Sequence, residues 1–395
     1  MRRETAKTAG FVGAAIVLAL AAALNQPESA TPEILSDQGK AFYPNFTDPQ
    51  AARMIELIDY DEATAAARPL KVELQRGRWV IASHHSYPVE IGDRLAKTAA
   101  ALIDLRREQV RSDSPLDHAQ FGVVDPLDQK VAALAGRGKR VTLRDARGDV
   151  LADFIFGKPV EGKPGYRYLR APGEKRTWVV KTEADPSARF ADWVQAGLLR
   201  VAAGSIRSVT IQSYSIDETF GRLLNMETLA LAREGDRWSA GGAEKLNTAV
   251  INTMASTLDG LKIADVRPKP PTLAADLRSG QVRLSLETAM SLRQRGFFLS
   301  PAGRLLANEG EMAVETANGL VYSLRFGEIA AGSENRHLFV TVSFDAARAA
   351  KYGGDAAAGE RAARELNNRF ADWYYLISGA DFQKLRLRRK DVVGN

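Results

Sequence analysis

The pentapeptide Arg189-Phe190-Ala191-Asp192-Trp193 recurs letter for letter as Arg369-Phe370-Ala371-Asp372-Trp373. Such an exact recurrence in one chain marks one structural unit used twice. The flanks carry the same grammar. Leu70-Lys71-Val72-Glu73-Leu74 alternates apolar and polar residues and leads through Gly77 to Trp79, as Thr228-Leu229-Ala230-Leu231-Ala232 leads through Gly235 to Trp238. Each run reads as a hairpin with one buried face, and each Trp on a half-buried strand reads as core rather than a stacking platform. Apolar stripes at helical spacing follow, Ile91, Leu95, Ala99, Leu102 and Leu105, then Leu246, Val250, Met254, Leu258 and Leu261. Both describe helices lying on a sheet face.

A strand pair ending in Phe-Gly comes next in each half. Val141-Thr142-Leu143 with Gly148, Phe156 and Gly157 corresponds to Met312-Ala313-Val314 with Gly319, Phe326 and Gly327. Gly148 and Gly319 fall at hairpin tips, where positive φ favours glycine. Further strands, Tyr166–Leu169, Trp178–Val180 and Leu338–Val342, lead to the repeated pentapeptide, which reads as a closing helix with an Arg–Asp pair at i, i+3. The offset grows along the chain, which places insertions in the second half at the proline-bearing Arg267–Thr272 loop and at Ala346–Ala358. The expected architecture is α+β: a tandem duplication of a mainly antiparallel sheet with packed helices, preceded by one N-terminal transmembrane helix.

The N-terminus sets the expected address. Arg2, Arg3 and Lys7 precede an uncharged apolar run from Thr8 to Leu24, about 17 residues and near the minimum for a bilayer-spanning helix. Positive charge before the run places the N-terminus in the cytoplasm and the body outside it. The alternative is a cleavable signal peptide, for which Ala21, Ala22 and Ala23 supply small residues. The domain reading is therefore 1–26 as anchor or signal segment, 27–50 as tether, 51–203 as the first α+β repeat unit and 204–395 as the second. The expected location is the bacterial cytoplasmic membrane, single-pass, with the body on the periplasmic or extracytoplasmic side.

Composition narrows the classes further. Hydrophobic residues make up 45% of the 395 and charged residues 26%, the balance of a folded protein. The 54 basic residues stand against 48 acidic ones, mostly interspersed, so no nucleic-acid partner is expected. The densest basic cluster, Lys384, Arg386, Arg388, Arg389 and Lys390, reads as a solvated terminal strand. Absence of cysteine removes disulfides, thiolate metal sites and a thiol nucleophile.

The pattern resembles a family of uncharacterised, membrane-anchored proteins of unknown function found beside gliding-motility-type ABC transporters. The residues that carry the resemblance are Gly77-Arg78-Trp79-Val80-Ile81 leading to Tyr87-Pro88, the segment Phe121-Gly122-Val123-Val124-Asp125-Pro126, and Gly296-Phe297-Phe298-Leu299. Val123 stands where that family's pattern has Leu. The resemblance implies an extracytoplasmic accessory subunit whose partners are an ABC-type permease and its large membrane-anchored auxiliary protein, and it supplies no catalytic residues.

The search for chemistry yields no catalytic, cofactor-binding or metal site. His84-His85, read as strand neighbours, point to opposite faces and cannot share a metal, and His118 and His337 stand apart from them. Asp59 and Asp61 share a strand face beside Glu62 but read as an acidic turn. No nucleophile elbow, Walker A loop, dinucleotide fingerprint or His-Glu-x-x-His motif occurs. The expectation is a non-enzyme without cofactor. The alternatives are an envelope glycan or lipid binding module using the cleft between the repeat units, and, behind it, a hydrolase needing a Ser-His pair or convergent carboxylates.

Overall fold

The computed structural model describes residues 37–393 apart from 91–92, 104, 131–133, 196, 218–221, 243–244, 280–284 and 301–302. The expected anchor and residues 27–36 of the expected tether lie outside the described residues. Among the described residues, nineteen strands are arranged in two large sheets and one small one. Those of the first are β1 (Met54–Asp61), β2 (Ala66–Gln75), β3 (Arg78–Ile81), β4 (Tyr87–Pro88), β5 (Gln109–Ser112), β6 (Lys139–Arg144), β7 (Val150–Pro159), β8 (Tyr166–Arg170) and β9 (Thr177–Lys181). The second holds β10 (Ile206–Asp217), β11 (Arg222–Glu234), β12 (Arg237–Ser239), β13 (Asp265–Pro268), β16 (Glu311–Thr316), β17 (Leu320–Ile329), β18 (Arg336–Phe344) and β19 (Trp373–Ile377). A small hairpin joins β14 (Phe297–Leu299) to β15 (Leu305–Ala307).

The strand orders are β4-β3-β2-β1-β6-β7-β8-β9-β5 and β12-β11-β10-β16-β17-β18-β19-β13. Apart from the extra β4 they are the same order, down to an early strand, β5 or β13, placed at the far edge beside the last one. Two sheets so ordered fit a duplication. By contacts the chain divides into two compact units. One comprises residues up to Ala52, Tyr60–Ala67 and Thr98–Pro186; the other comprises Arg53–Asp59, Arg68–Lys97 and Ser187–Asn395.

The helices are α1 (Asp93–Ile103), α2 (His118–Phe121), α3 (Thr248–Asp259), α4 (Pro271–Ser279), α5 (Leu286–Arg293), α6 (Ala346–Lys351), α7 (Ala356–Ala371), α8 (Gly379–Leu385) and α9 (Arg389–Val392). On β16 and β17 the period-two pattern buries Met312, Val314, Leu320, Tyr322, Leu324 and Phe326 on one face. α7 packs beside β18. Its Asn367 side chain accepts from Val342 N (2.9 Å) and donates to Val342 O (2.5 Å), supplying partners where the pairing with β19, which ends at Leu338, leaves β18 open.

Several expectations need correction. The Arg267–Thr272 stretch is not an inserted loop: Pro268 closes edge strand β13 and Pro271 opens α4, both positions where a missing N–H costs little. Ala346–Ala358 forms α6 and the start of α7. The basic C-terminal cluster is helical, in α8, α9 and the link between them, and is anchored by buried Leu385, Leu387 and Val392. The pentapeptide copies do not close the two halves alike. Phe190–Asp192 is a single 3-10 turn after β9, whereas Arg369 to Ala371 ends α7 and Trp373 opens β19.

The glycines fit a duplication more closely than the pentapeptide does. Gly148 and Gly319 occupy hairpin tips with φ of 89° and 80°. Gly157 and Gly327, one residue past each buried Phe, are crossed by another chain segment: a Cβ would stand 2.5 Å from Phe121 O at the first and 2.1 Å from Arg295 O at the second. Each crossing segment continues into a left-handed glycine, Gly122 or Gly296. Gly157→Ala and Gly327→Ala are each expected to lower unfolding free energy by about 2–3 kcal/mol in urea titrations. Gly204→Ala, whose Cβ meets open space, is expected to stay within about 0.5 kcal/mol of wild type.

Candidate functional site

Tyr87 to Glu90 is where both copies of the pentapeptide meet, all within the second compact unit. After β3 the chain makes a 3-10 turn at Ala82–His84 and then places His85 (φ 56°) and Ser86 (φ 59°) consecutively in the left-handed region. For residues other than glycine this costs on the order of 1 kcal/mol each. The reversal lays β4 antiparallel on β3, with Tyr87 opposite Ile81. The buried Tyr87 ring then meets Phe190 of the first copy edge-on at 5.5 Å and Trp373 of the second at 5.1 Å.

Glu90 repeats the arrangement with polar contacts. Its N–H donates to Trp193 O (3.3 Å). Its carboxylate accepts from Gln195 N (2.7 Å) and, in a bidentate pair, from Arg369 Nε (3.1 Å) and Nη2 (2.9 Å). Arg369 Nη1 donates to Leu198 O (2.6 Å), and Tyr375 donates its hydroxyl to Arg369 O (3.0 Å). Burial works against the Arg369 charge, but Glu90, Tyr87 and Tyr375 outweigh it and hold its pKa above the usual guanidinium value. Burial pushes the Tyr87 hydroxyl up to about 12 and Tyr375 well above its ordinary value, so both stay protonated hydrogen-bonding groups at neutral pH.

Lys269, just past β13, supports the second copy from beneath. Its Nζ donates to Phe370 O and Trp373 O, both at 2.7 Å, and lies 4.2 Å from the centre of the Phe339 ring. Burial drives its pKa down to about 7, with Asp372 opposing the shift. A neutral amine has two N–H groups, the number this site uses.

The histidine pair is not on a strand. His84 ends the 3-10 turn, stacks on Phe190 at 4.7 Å and lies with Nδ1 2.9 Å from Ser83 Oγ, while His85 is exposed. Burial lowers the His84 pKa, against the pull of Asp265. This Ser-His contact does not amount to a triad. Ser83 Oγ already accepts from Lys71 N (3.0 Å), and Asp265, 3.9 Å from His84 Nε2, is held by Arg267 (2.5 Å) and by its neighbour's N–H (2.7 Å).

The other sequence candidates scatter. Asp61 caps its turn through the N–H groups of Ala63 and Thr64. Trp238 is buried with Nε1 on Asn252, and Trp79 is half-buried. His118 and His337 each bond a backbone carbonyl oxygen, of Lys175 and Glu328 respectively. Arg189 pairs with Asp192 at i, i+3 (2.9 Å) as expected. The expected Arg369–Asp372 pair does not form: Arg369 turns to Glu90 and Asp372 to Arg278. Among the described residues no group of three or more His, Asp or Glu is placed to hold a metal ion. Sequence reasoning missed Glu90 and Lys269; the available signals were a carboxylate inside the apolar Tyr87–Ile91 run and a lysine set among the prolines of 268–271.

A family model described as Domain of unknown function (DUF4340) matches residues 79–279, just over half of the chain. The chain belongs to this family. Its matched span opens at Trp79 on β3 and ends with α4, so it contains Tyr87, Glu90, Phe190 and Trp193 but not Arg369 or Trp373. The membership agrees with the uncharacterised character of the resemblance read from the sequence. No curated protein and no solved structure matches the chain.

Proposed function

We propose that this chain is a non-enzymatic, membrane-anchored accessory protein of an ABC-type, gliding-motility-like transport system, with its α+β body on the extracytoplasmic side. The observation that carries the reading is the N-terminal pattern: Arg2, Arg3 and Lys7 ahead of the uncharged Thr8–Leu24 run. The transporter partners come from the resemblance to membrane-anchored proteins found beside such transporters. A further support is the use made of polar groups at Tyr87–Glu90, where charge and hydrogen-bonding capacity go into holding two segments together. That is how a scaffold is built. Among the described residues no helix is long and apolar enough to cross a membrane, so the reading assigns anchoring to the N-terminal run.

The test is affinity capture of the tagged full-length protein from gently solubilised membranes of its own organism. Co-recovery of an ABC permease and ATPase is the expected result. Recovery of the protein alone, from membranes in which those subunits are present, contradicts the proposal.

A further inference from the structure

A pocket of about 700 Å³ lies wholly within the first compact unit and inside the family-matched span. Its size falls in the range of small-molecule sites, roughly 300–1,000 Å³. Two of its lining residues are large and apolar yet open to solvent: Leu116 is 91% exposed and Leu127 49%. Neither sits on an unsupported loop. Ser114 Oγ accepts the Leu116 N–H (3.3 Å), and Asp125 Oδ1 accepts the Leu127 N–H (2.9 Å). Covering a leucine of this kind is worth about 1.5–3 kcal/mol, which a folded protein forgoes at two turns lining one pocket.

The charged lining is unevenly neutralised. Arg140 is bound by Asp125 (3.1 Å) and Asp153 (2.7 Å), and Glu174 is taken by Arg107 (2.9 Å). Arg170 is different. It is only 6% exposed, yet its bonds go to carbonyl oxygens, from Nε to Val123 O (2.9 Å) and from Nη1 to Glu174 O (3.0 Å). Its Nη2 has no hydrogen-bond partner among the described residues, and Asp125, Asp128 and Glu174 act on it only beyond ion-pair distance. Lys175 lines the same pocket and makes no ion pair among the described residues; its backbone is fixed by the 2.7 Å bond between its carbonyl oxygen and His118 Nε2. Arg170 and Lys175 therefore stand beside an apolar rim without a bound carboxylate, while Arg140 carries two and Asp128 makes no ion pair among the described residues.

We propose that this pocket binds a small organic acid, with a carboxylate or phosphate head taken by Arg170 and Lys175 and an apolar body covering Leu116 and Leu127. A guanidinium with a spare N–H on a largely buried side chain is suited to an anionic oxygen, and the leucines supply the contact a purely ionic ligand would not use. The assignment does not depend on the transporter role and would hold if that role failed.

The test is equilibrium dialysis of 4-phenylbutyrate against the full-length protein in zwitterionic nanodiscs, with empty nanodiscs subtracted and 4-phenylbutanamide as the uncharged comparison. The acid is expected to bind saturably and about tenfold more tightly than the amide, the size of a charged hydrogen bond. Leu116→Asp and Lys175→Glu, at exposed positions, are each expected to weaken it about fivefold or more without change in thermal stability. Arg170→Gln should abolish binding, but its carbonyl bonds also hold the fold, so the two surface variants decide. No saturable binding at millimolar acid, equal binding of acid and amide, or wild-type affinity in both surface variants overturns the proposal.

Discussion

Arg369→Met is expected to lower the free energy of unfolding by about 3 kcal/mol, whereas Arg189→Met, the same letter in the same pentapeptide, should change it by less than about 0.5 kcal/mol. The difference is one of surroundings. Arg369 is 12% exposed and its partner Glu90 16%, and its loss leaves a half-buried carboxylate with only neutral donors. The Arg189 side chain is 79% exposed and its pair with Asp192 is solvated, where ion pairs contribute little. Glu90→Met alone should cost as much as Arg369→Met. The double variant Glu90→Met/Arg369→Met should recover a large part of the loss, because two well-packed apolar side chains replace a pair whose desolvation was costly. Urea titrations of the four proteins, followed by tryptophan emission, give the coupling energy, expected at about 1–3 kcal/mol.

The second large effect is a pH dependence. With its folded pKa at about 7 and an ordinary value of 10.5, Lys269 is neutral in the fold and protonated in the unfolded chain across the window between them. The unfolded state then binds more protons, so this residue makes stability rise with pH. The penalty is absent above the unfolded value, grows as pH falls toward 7, and is constant below it. Each pH unit inside the window is worth about 1.4 kcal/mol. From pH 7 to pH 9, wild type should therefore gain about 2–3 kcal/mol relative to Lys269→Met, measured as the difference between the two urea unfolding curves at each pH. Stopping at pH 9 keeps the comparison below the range where tyrosines begin to ionise. A difference that stays flat would mean that Lys269 keeps its proton in the fold.

Much of the fold was legible from local pattern. The strand runs, the middle of each helical stripe (Leu95 to Leu102 and Val250 to Leu258) and the hairpin glycines Gly148 and Gly319 fell where periodicity and positive φ required. The pentapeptide itself misled, for a physical reason. Five residues do not nucleate a helix. The second copy is helical through Ala371 because it continues the helix-forming Ala356–Asn368 run, while the first follows Pro186 and stays a single turn. The alternation Leu385-Arg386-Leu387-Arg388 looked like a strand because a helix end and a following helix start can place two leucines inward at the same spacing. Neither meeting point was legible. Tyr87 and Glu90 lie about 100 residues from the first copy and nearly 280 from the second, and the pocket is assembled from the Leu116, Leu127 and Arg170 segments. Contacts between distant segments leave no periodic trace in the sequence.

The proposal that the body works as an accessory to a transporter is tested most directly by photocrosslinking in intact cells. A photoreactive residue placed at Met226 or Leu286, both exposed at the surface of the second unit, is expected to yield adducts containing an ABC permease or its membrane-anchored auxiliary subunit. Adducts formed only with copies of this chain, or none at either position while the protein stays with the membrane fraction, would contradict it.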